Sequence, residues 1–335
     1  MQRVLANSMG NGIDGQRGKN LIKWEVTKGR DRKREIPFLR VSLSGHSVID
    51  KLGSGGISMR LREHNFPSLP VGLIGLGSIG SYVAREILKG KVSGVNLLAA
   101  ADIKTPSSDL LQELRNHSVA VVQSFEALAE FPIQLVVECA NQKVVKECAD
   151  FFLSKGIDLV IMSMGALVQG TFFADLAAKA EERGCHIYIP SGAVGAIDAL
   201  KAAKLGGLEE VTLTTRKPPR ALGKVDGVNL NELREPRTIF EGPATEAVVK
   251  FPQNVNVAAT ISLAGLGPDK TRVRVVADPG IDQNIHEIRA RGAFGSLEIR
   301  LANRPNPDNP NTSLLACLSV ISLLRRIRGA VQIGT

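Results

Sequence analysis

The stretch VGLIGLGSIGSYVAREILKG, residues 71–90, decides the fold of this 335-residue chain. A short apolar run ends in glycines, and the apolar positions that follow recur at helical spacing. Gly75, Gly77 and Gly80 show the G-x-G-x-x-G spacing between a strand and a helix. There the first glycine permits a tight turn, the second lets the backbone approach a pyrophosphate, and the third lets helix and strand pack closely. The stretch therefore predicts a dinucleotide-binding βαβ unit, against the alternative of a structural turn without a ligand.

The same alternation of strand and helix continues to residue 205. Six apolar segments are separated by amphipathic helical ones, which indicates a doubly wound parallel sheet covered by helices on both faces. After Leu205 the segments alternate polar and apolar residues, which is typical of antiparallel strands with one wet face. The fold class is therefore α/β, a Rossmann-type sheet followed by a smaller α+β domain.

These patterns give a division of the chain. We expect a basic, mostly disordered leader at 1–66, a dinucleotide-binding domain at 67–205, and an α+β catalytic or substrate domain at 206–310. The apolar segment 311–328 predicts a final helix, opened by Asn311 to Ser313, that returns to the first domain. The segment 244–266 predicts two helices with a break at Pro252.

The leader carries most of the net charge of +9. It holds 13 Lys/Arg against 6 Asp/Glu, a net of +7, so the rest of the chain carries about +2. With only 4% aromatic residues, neither nucleic acid nor a membrane is an expected partner. We expect a cytoplasmic protein, or a plastid or mitochondrial one if the leader is a transit peptide; a nuclear signal and a plain tail are the alternatives.

The four cysteines, Cys139, Cys148, Cys185 and Cys317, form no C-x-x-C pair and no zinc-type spacing with histidine. We expect reduced thiols in the core and no metal site.

Further candidate cofactor residues lie at the carboxyl ends of the predicted strands. Ser78 and Ile79 open the first helix, whose amides can hold phosphates. Asp102 ends the second strand, where a carboxylate accepts the ribose hydroxyls of NAD, while Lys104 and Thr105 could tolerate the 2′-phosphate of NADP. The cofactor is therefore NAD or NADP. Two small residues after the fourth strand could lie beside it, Cys139 and Ala140.

The ordered set of motifs resembles the L-aspartate dehydrogenase family. Those motifs are VGLIGLGSIG, VVECANQ, MSMGAL, IPSGAVGAIDALKAA, VTLTTRKPP, FPQNVNVAATISLAGLGPDKTRVRVVADP, NIHEI and NPNTSLLACLSVISLLRRI, and they span about residues 70–328. The resemblance implies NAD(P)-dependent oxidation of L-aspartate to iminoaspartate, which hydrolyses to oxaloacetate and ammonia or enters NAD biosynthesis. It also implies that His286 is catalytic, that Ala193 and Asn256 contact the cofactor, and that the protein is a homodimer.

Elimination among the histidines agrees with that role, because His286 is the only histidine of the second domain. An imidazole with a pKa of about 6.5 suits proton transfer near neutral pH. The alternative is an ordinary half-exposed strand residue, and for Asn256 it is a capping or core amide. A dicarboxylate also needs cations, and the candidates are Lys201, Arg216, Lys217 and Lys270.

The sequence is also compatible with two other functions. One is a related two-domain dehydrogenase acting on another amino or hydroxy acid. The other is a regulator that binds NAD(P) without catalysis.

Overall fold

The computed structural model describes residues 38–43, 46–51, 68–223, 225, 227–251, 256–307 and 309–334. The chain forms two compact units, Met1–Asn65 and Phe66–Thr335. In the first unit, β1 (Phe38–Leu43) and β2 (His46–Lys51) pair as an antiparallel hairpin. The expectation of a mostly disordered leader stays a prediction, and within that leader Val and Ile of these two segments favour extended backbone. The rest of the predicted leader lies outside the described residues.

The second unit begins with the predicted parallel sheet. Its six strands are ordered β5-β4-β3-β6-β7-β8, and every pair is parallel. The strands are β3 (Leu69–Ile74), β4 (Val95–Ala101), β5 (Ala120–Val122), β6 (Leu135–Glu138), β7 (Asp158–Ile161) and β8 (Ile187–Tyr188). β4 and β6 pair with opposite edges of β3, so the strand order reverses there. This reversal opens a crevice at the carboxyl end of β3, where such sheets bind ligands.

Five helices connect these strands or follow them. They are α1 (Ser78–Leu88), α2 (Ser108–Asn116), α3 (Gln142–Ser154), α4 (Phe172–Arg183) and α5 (Ile197–Leu205). Successive side chains of the central strands enter two different apolar layers. Val136 and Ile161 face one layer, while Val137 and Val160 face the other. The strands are therefore apolar on both faces, as the sequence predicts.

A five-stranded sheet follows, in the order β10-β11-β9-β12-β13. Its strands are β9 (Leu208–Lys217), β10 (Arg237–Pro243), β11 (Arg272–Ala277), β12 (Asn284–Gly292) and β13 (Gly295–Asn303). β9 and β11 are parallel, so the sheet is mixed, and the prediction of purely antiparallel strands is wrong at this pair. The reason is a helical crossover between them, which contains α6 (Ala244–Lys250) and α7 (Asn256–Ala264). The predicted break at Pro252 lies outside the described residues.

The chain then returns to the first sheet. β14 (Pro305–Asn306) pairs with β15 (Asn309–Ser313), and α8 (Leu314–Arg328) contacts α1. The last helix begins at Leu314 rather than at the predicted residue 311, because the three preceding residues belong to β15. Asn306 Nδ2 donates to Ser78 Oγ at 3.0 Å, which joins this returning segment to the glycine-rich loop.

One apolar core runs from the parallel sheet into the five-stranded sheet, for it contains Val137 and Val160 as well as Leu213 and Val275. The two sheets are thus held together by packing, and the division at residue 205 stays a prediction. Among the described helices, none is both long and apolar enough to cross a bilayer.

Candidate active site

The glycine-rich loop has the geometry that its spacing predicts. Gly75 has a φ of +87°, and a Cβ there would lie 2.8 Å from the Cα of Ala140. A Cβ on Gly80 would collide with the carbonyl oxygen of Gly75. A Cβ on the exposed Gly77 would meet nothing within 4 Å. Gly75 and Gly80 are therefore required by the turn, whereas Gly77 borders open space that a ligand can enter.

The helix after this loop is prepared for an anion. α1 has Gly77 as its N-cap, with no capping side chain and no acidic residue in its first turn. The half-buried Ser78 and Ile79 begin the helix, and Ser81 Oγ steadies the loop by donating to the carbonyl of Leu76 at 2.6 Å. An uncapped N-terminus carries free amides and the positive end of the helix dipole. These residues fit a pyrophosphate.

Asp102 lies at the end of β4, where its carboxylate is held by two backbone amides. Oδ2 accepts from Leu76 N at 2.6 Å and Oδ1 accepts from Lys104 N at 2.8 Å. Each oxygen keeps a lone pair for a ribose hydroxyl. Asp102 also lines a cavity of about 330 Å³ together with Lys104, Thr105 and Arg115. This cavity therefore combines a carboxylate suited to NAD with cations suited to NADP, of which Arg115 was not predicted from the sequence.

Glu138, also missed from the sequence, braces the next part of this edge. It is 1% exposed, and its carboxylate accepts from Ala140 N at 2.7 Å, Ser163 N at 3.0 Å, Ser163 Oγ at 2.8 Å and Met162 N at 3.2 Å. Burial raises the pKa of Glu138, although these hydrogen bonds act in the opposite direction. The carboxylate joins the ends of β6 and β7. The next residue, Cys139, is partly exposed at the crevice. A charged residue that ends an apolar strand is the signal that could have found it.

Two amides tie the second half of the chain to the loops of the crevice. Asn256 Oδ1, at the start of α7, accepts from Gly165 N at 3.3 Å in the loop after β7. Asn303 Nδ2, at the end of β13, donates to the carbonyl of Ala193 at 2.8 Å in the loop after β8. The predicted cofactor residues Asn256 and Ala193 are therefore both at the edge of the parallel sheet.

His286 lies on β12, and it is 2% exposed. The alternative of a half-exposed surface histidine is therefore wrong. Its Nδ1 is 3.1 Å from Thr215 Oγ1 on β9. Burial, followed by the positive charge of Lys217, lowers the pKa of His286 to about 3. The ring is uncharged at neutral pH, and its pKa lies well below the ordinary value of 6.5.

Lys217 is the cation that the fold brings to His286. It is 5% exposed, and burial lowers the pKa of Lys217 to about 8. Side chains alternate along a strand, so Lys217 shares a face with Thr215. Thr215 is paired directly with His286. A buried ammonium group beside an uncharged imidazole makes a site that attracts an anion.

The other predicted substrate cations lie elsewhere. Arg216 points to the opposite face of β9, where its Nη1 is 3.7 Å from Asp278 Oδ2. Lys201 is exposed on α5, and Lys270 is exposed before β11. Of the four candidates, the structure brings Lys217 alone to the described surroundings of His286.

The histidine face adjoins the crevice of the parallel sheet. Leu301 on β13 pairs with His286, and its Cδ2 is 3.9 Å from the place of a Cβ on Gly195, in the loop after β8. Together with the Asn303–Ala193 bond, this contact holds β12 and β13 against the loop. Within the described ranges, no three His, Cys, Asp or Glu side chains are grouped to hold a metal ion.

Two family models match the chain. The model described as "Homoserine dehydrogenase, NAD binding domain" matches residues 75–190, and the model described as "Aspartate dehydrogenase, C-terminal" matches residues 198–327. The first covers the glycine-rich loop and Asp102, and the second covers Lys217 and His286.

Known proteins agree with these matches. The chain is 42% identical over 272 residues to an L-aspartate dehydrogenase of Methanosarcina barkeri, covering 80% of this chain and all of the relative. It is 38% identical over 270 residues to one of Methanococcus maripaludis, with the same coverage. The crystal structure of aspartate dehydrogenase from Thermotoga maritima has a TM-score of 0.63 and 28% identity, covering 79% of this chain and 99% of that one.

Proposed function

The chain belongs to the L-aspartate dehydrogenase family of oxidoreductases, and we propose that it oxidises L-aspartate with NAD or NADP at a site built around His286. The observation that carries this proposal is the buried pair of His286 and Lys217. It lies on the sheet face that adjoins the dinucleotide crevice. An uncharged imidazole beside a cation suits an anionic substrate that must lose protons.

The cofactor would occupy the crevice of the parallel sheet. The amides at the start of α1 and the open space at Gly77 would hold the pyrophosphate, and Asp102 would accept hydrogen bonds from the ribose. When bound, the nicotinamide accepts a hydride from the α-carbon of the substrate. Ala193 and Asn256 would shape the site of that ring through the loops after β8 and β7.

Lys217 would bind one carboxylate of the substrate. A charged hydrogen bond to a carboxylate is strong where water is excluded, and Lys217 is almost fully buried. Arg216 is less suited, because it faces away and already pairs with Asp278.

His286 would exchange protons with the substrate nitrogen and with the attacking water. The aspartate ammonium group loses one proton before oxidation; water then adds to iminoaspartate, and ammonia leaves to give oxaloacetate. In the free protein the pKa of His286, about 3, is too low for an efficient base. A carboxylate bound at Lys217 offsets the nearby positive charge and raises the pKa of the imidazole again. The bound dicarboxylate would therefore bring the pKa of the imidazole closer to the range of an efficient base, while burial, the larger cause of its shift, remains.

The experiment is an assay of the purified full-length chain for NADH and NADPH production with L-aspartate and a panel of other amino and hydroxy acids. We expect turnover with L-aspartate, and a loss of roughly 10²- to 10⁴-fold in kcat for His286→Gln with NADH binding kept. His186→Gln is the matched control, because His186 has a 69% exposed side chain and lies outside the site. Turnover only with another acid, or NADH binding without any turnover, would contradict the proposal.

Two finer properties complete the proposal. We propose a homodimer, as the family resemblance implies, and a monomeric mass in light scattering would contradict it.

The compartment depends on the leader: we propose the cytoplasm for a native protein that keeps its leader, and a plastid or mitochondrion for one that has lost it. N-terminal sequencing of the native protein distinguishes the two.

A further inference from the structure

Thr215 is the neighbour that holds the ring of His286. β9 and β12 are antiparallel, and their register places Thr215 directly opposite His286. The hydroxyl lies 3.1 Å from Nδ1, and the two residues are 4% and 2% exposed. Bulk water does not reach this pair, so the hydroxyl is the polar group that the fold supplies to Nδ1.

Packing alone does not explain why a threonine occupies position 215. Val211 and Leu213, which precede Thr215 on the same face of β9, are both 1% exposed and apolar. Valine has the shape of threonine and would continue this apolar face. A buried hydroxyl costs free energy unless it is hydrogen-bonded. Its bond to His286 offsets that cost.

We propose that Thr215 is a positioning residue for the reaction: by occupying Nδ1 it turns Nε2 toward the substrate as the ring atom that exchanges protons. When Nε2 takes a proton from the substrate nitrogen or from water, the ring becomes a cation, and Nδ1–H donates to Thr215 Oγ1. When Nε2 gives the proton up, the ring is neutral again. The inference rests on the proposed catalytic role of His286.

An uncharged partner also suits this site better than a carboxylate would. A buried carboxylate at Nδ1 would raise the pKa of the imidazole and so favour a second cation beside Lys217. The threonine hydroxyl orients the ring and leaves its charge free to change as the substrate binds.

The test compares Thr215→Val, Thr215→Ala and Thr215→Ser with His286→Gln in the full-length chain. We expect the Val and Ala variants to lose roughly 10- to 100-fold in kcat, because a small misplacement of a reacting group is costly. KM for L-aspartate and the affinity for NADH should change less than threefold. The Ser variant, which restores the hydroxyl, should recover most of the activity.

Nitrogen-15 spectra of the histidines supply a readout that a packing role would not move. The chain has five histidines, and the His286→Gln spectrum identifies the signals of His286. We expect a hydrogen-bonded Nδ1 in the wild type and in the Ser variant, and a shifted Nδ1 signal in the Val and Ala variants. Unchanged kcat or unchanged Nδ1 signals in those two variants would overturn the inference, as would an equal loss in the Ser variant. Full activity in His286→Gln would instead overturn the proposed function itself.

Discussion

Lys217 and Thr215 point to the same face of β9, and Thr215 contacts the imidazole of His286, whose pKa is lowered by burial and then by the charge of Lys217. The ammonium and the imidazole therefore titrate far from their ordinary values, Lys217 at about 8 and His286 at about 3. Both shifts have burial as their largest cause. Burial of the charged Lys217 side chain is unfavourable, and an anion that binds beside it reduces that cost.

The first prediction concerns the stability of Lys217→Met. The folded pKa of Lys217, about 8, lies below its ordinary 10.5, so its contribution to stability is present above pH 10.5 and is lost as the pH falls through 8. At pH 7 the folded protein holds a buried charge, which methionine removes. Relative to the wild type, the variant should gain roughly 3 kcal/mol in unfolding free energy between pH 10.5 and pH 7. Urea unfolding at the two pH values measures this gain. Lys201→Met, at an exposed position, should show no such difference.

The same variant should bind dicarboxylates poorly. Because Lys217 is proposed to pair with a substrate carboxylate, Lys217→Met should raise KM for L-aspartate and the inhibition constant of succinate by at least roughly tenfold. In the wild type the inhibition constant should rise as the pH passes above about 8, where Lys217 loses its charge. A pH-independent inhibition constant would rule out this lysine as the anion site.

The loss of unfolding free energy at acidic pH should depend on His286. Its folded pKa, about 3, lies below the ordinary 6.5, so its contribution to stability is present above pH 6.5 and is lost as the pH falls toward 3. Between pH 7 and pH 4 the wild type should therefore lose roughly 3 kcal/mol more than His286→Gln does. Denaturant unfolding at the two pH values checks the difference. Equal losses would mean that the imidazole is not kept neutral by the fold.

Two glycine substitutions in one loop should have opposite consequences. Gly80→Ala should lower the melting temperature, because its Cβ collides with the carbonyl of Gly75. Gly77→Ala should leave the melting temperature unchanged, because its Cβ meets open space, and should weaken NADH binding by roughly tenfold, about 1.4 kcal/mol. Thermal unfolding and fluorescence titration with NADH separate the two effects. Tight NADH binding by Gly77→Ala would place the pyrophosphate elsewhere.

Asp102 should set the balance between the two cofactors. Asp102→Asn removes the negative charge beside Lys104 and Arg115, which line the same cavity. The ratio of kcat/KM for NADP to that for NAD should rise by roughly tenfold or more, since the 2′-phosphate then meets cations without a carboxylate. Asp109→Asn on the exposed start of α2 is the control. An unchanged ratio would remove Asp102 from cofactor recognition.

The sequence was most informative where the structure depends on the spacing of residues that are close together in the chain. The glycine loop, Asp102 and the strands of the parallel sheet could all be predicted, because each depends on a few neighbouring residues. The parity of β9 could also have selected Lys217, since Val211 and Leu213 already mark the buried face on which it lies.

Other features were not readable, because they depend on pairing between distant segments. Thr215 meets His286 across a separation of 71 residues, and nothing near Thr215 in the sequence indicates that register. The parallel pair of β9 and β11 likewise arises only when separate strands come together, and so do the three donors to Glu138 that Met162 and Ser163 supply. The pKa of His286 could not be predicted either, because its burial is a property of the assembled sheet.

The hydrogen bond between Asn306 and Ser78 joins residues 228 positions apart. At a ribosomal rate of about 5–20 residues per second, the glycine loop waits roughly 10–50 s for this partner after it has been synthesised. During that time the apolar side of α1 that α8 will contact stays uncovered. The parallel sheet and its helices therefore reach their native packing only after the chain has been translated through α8.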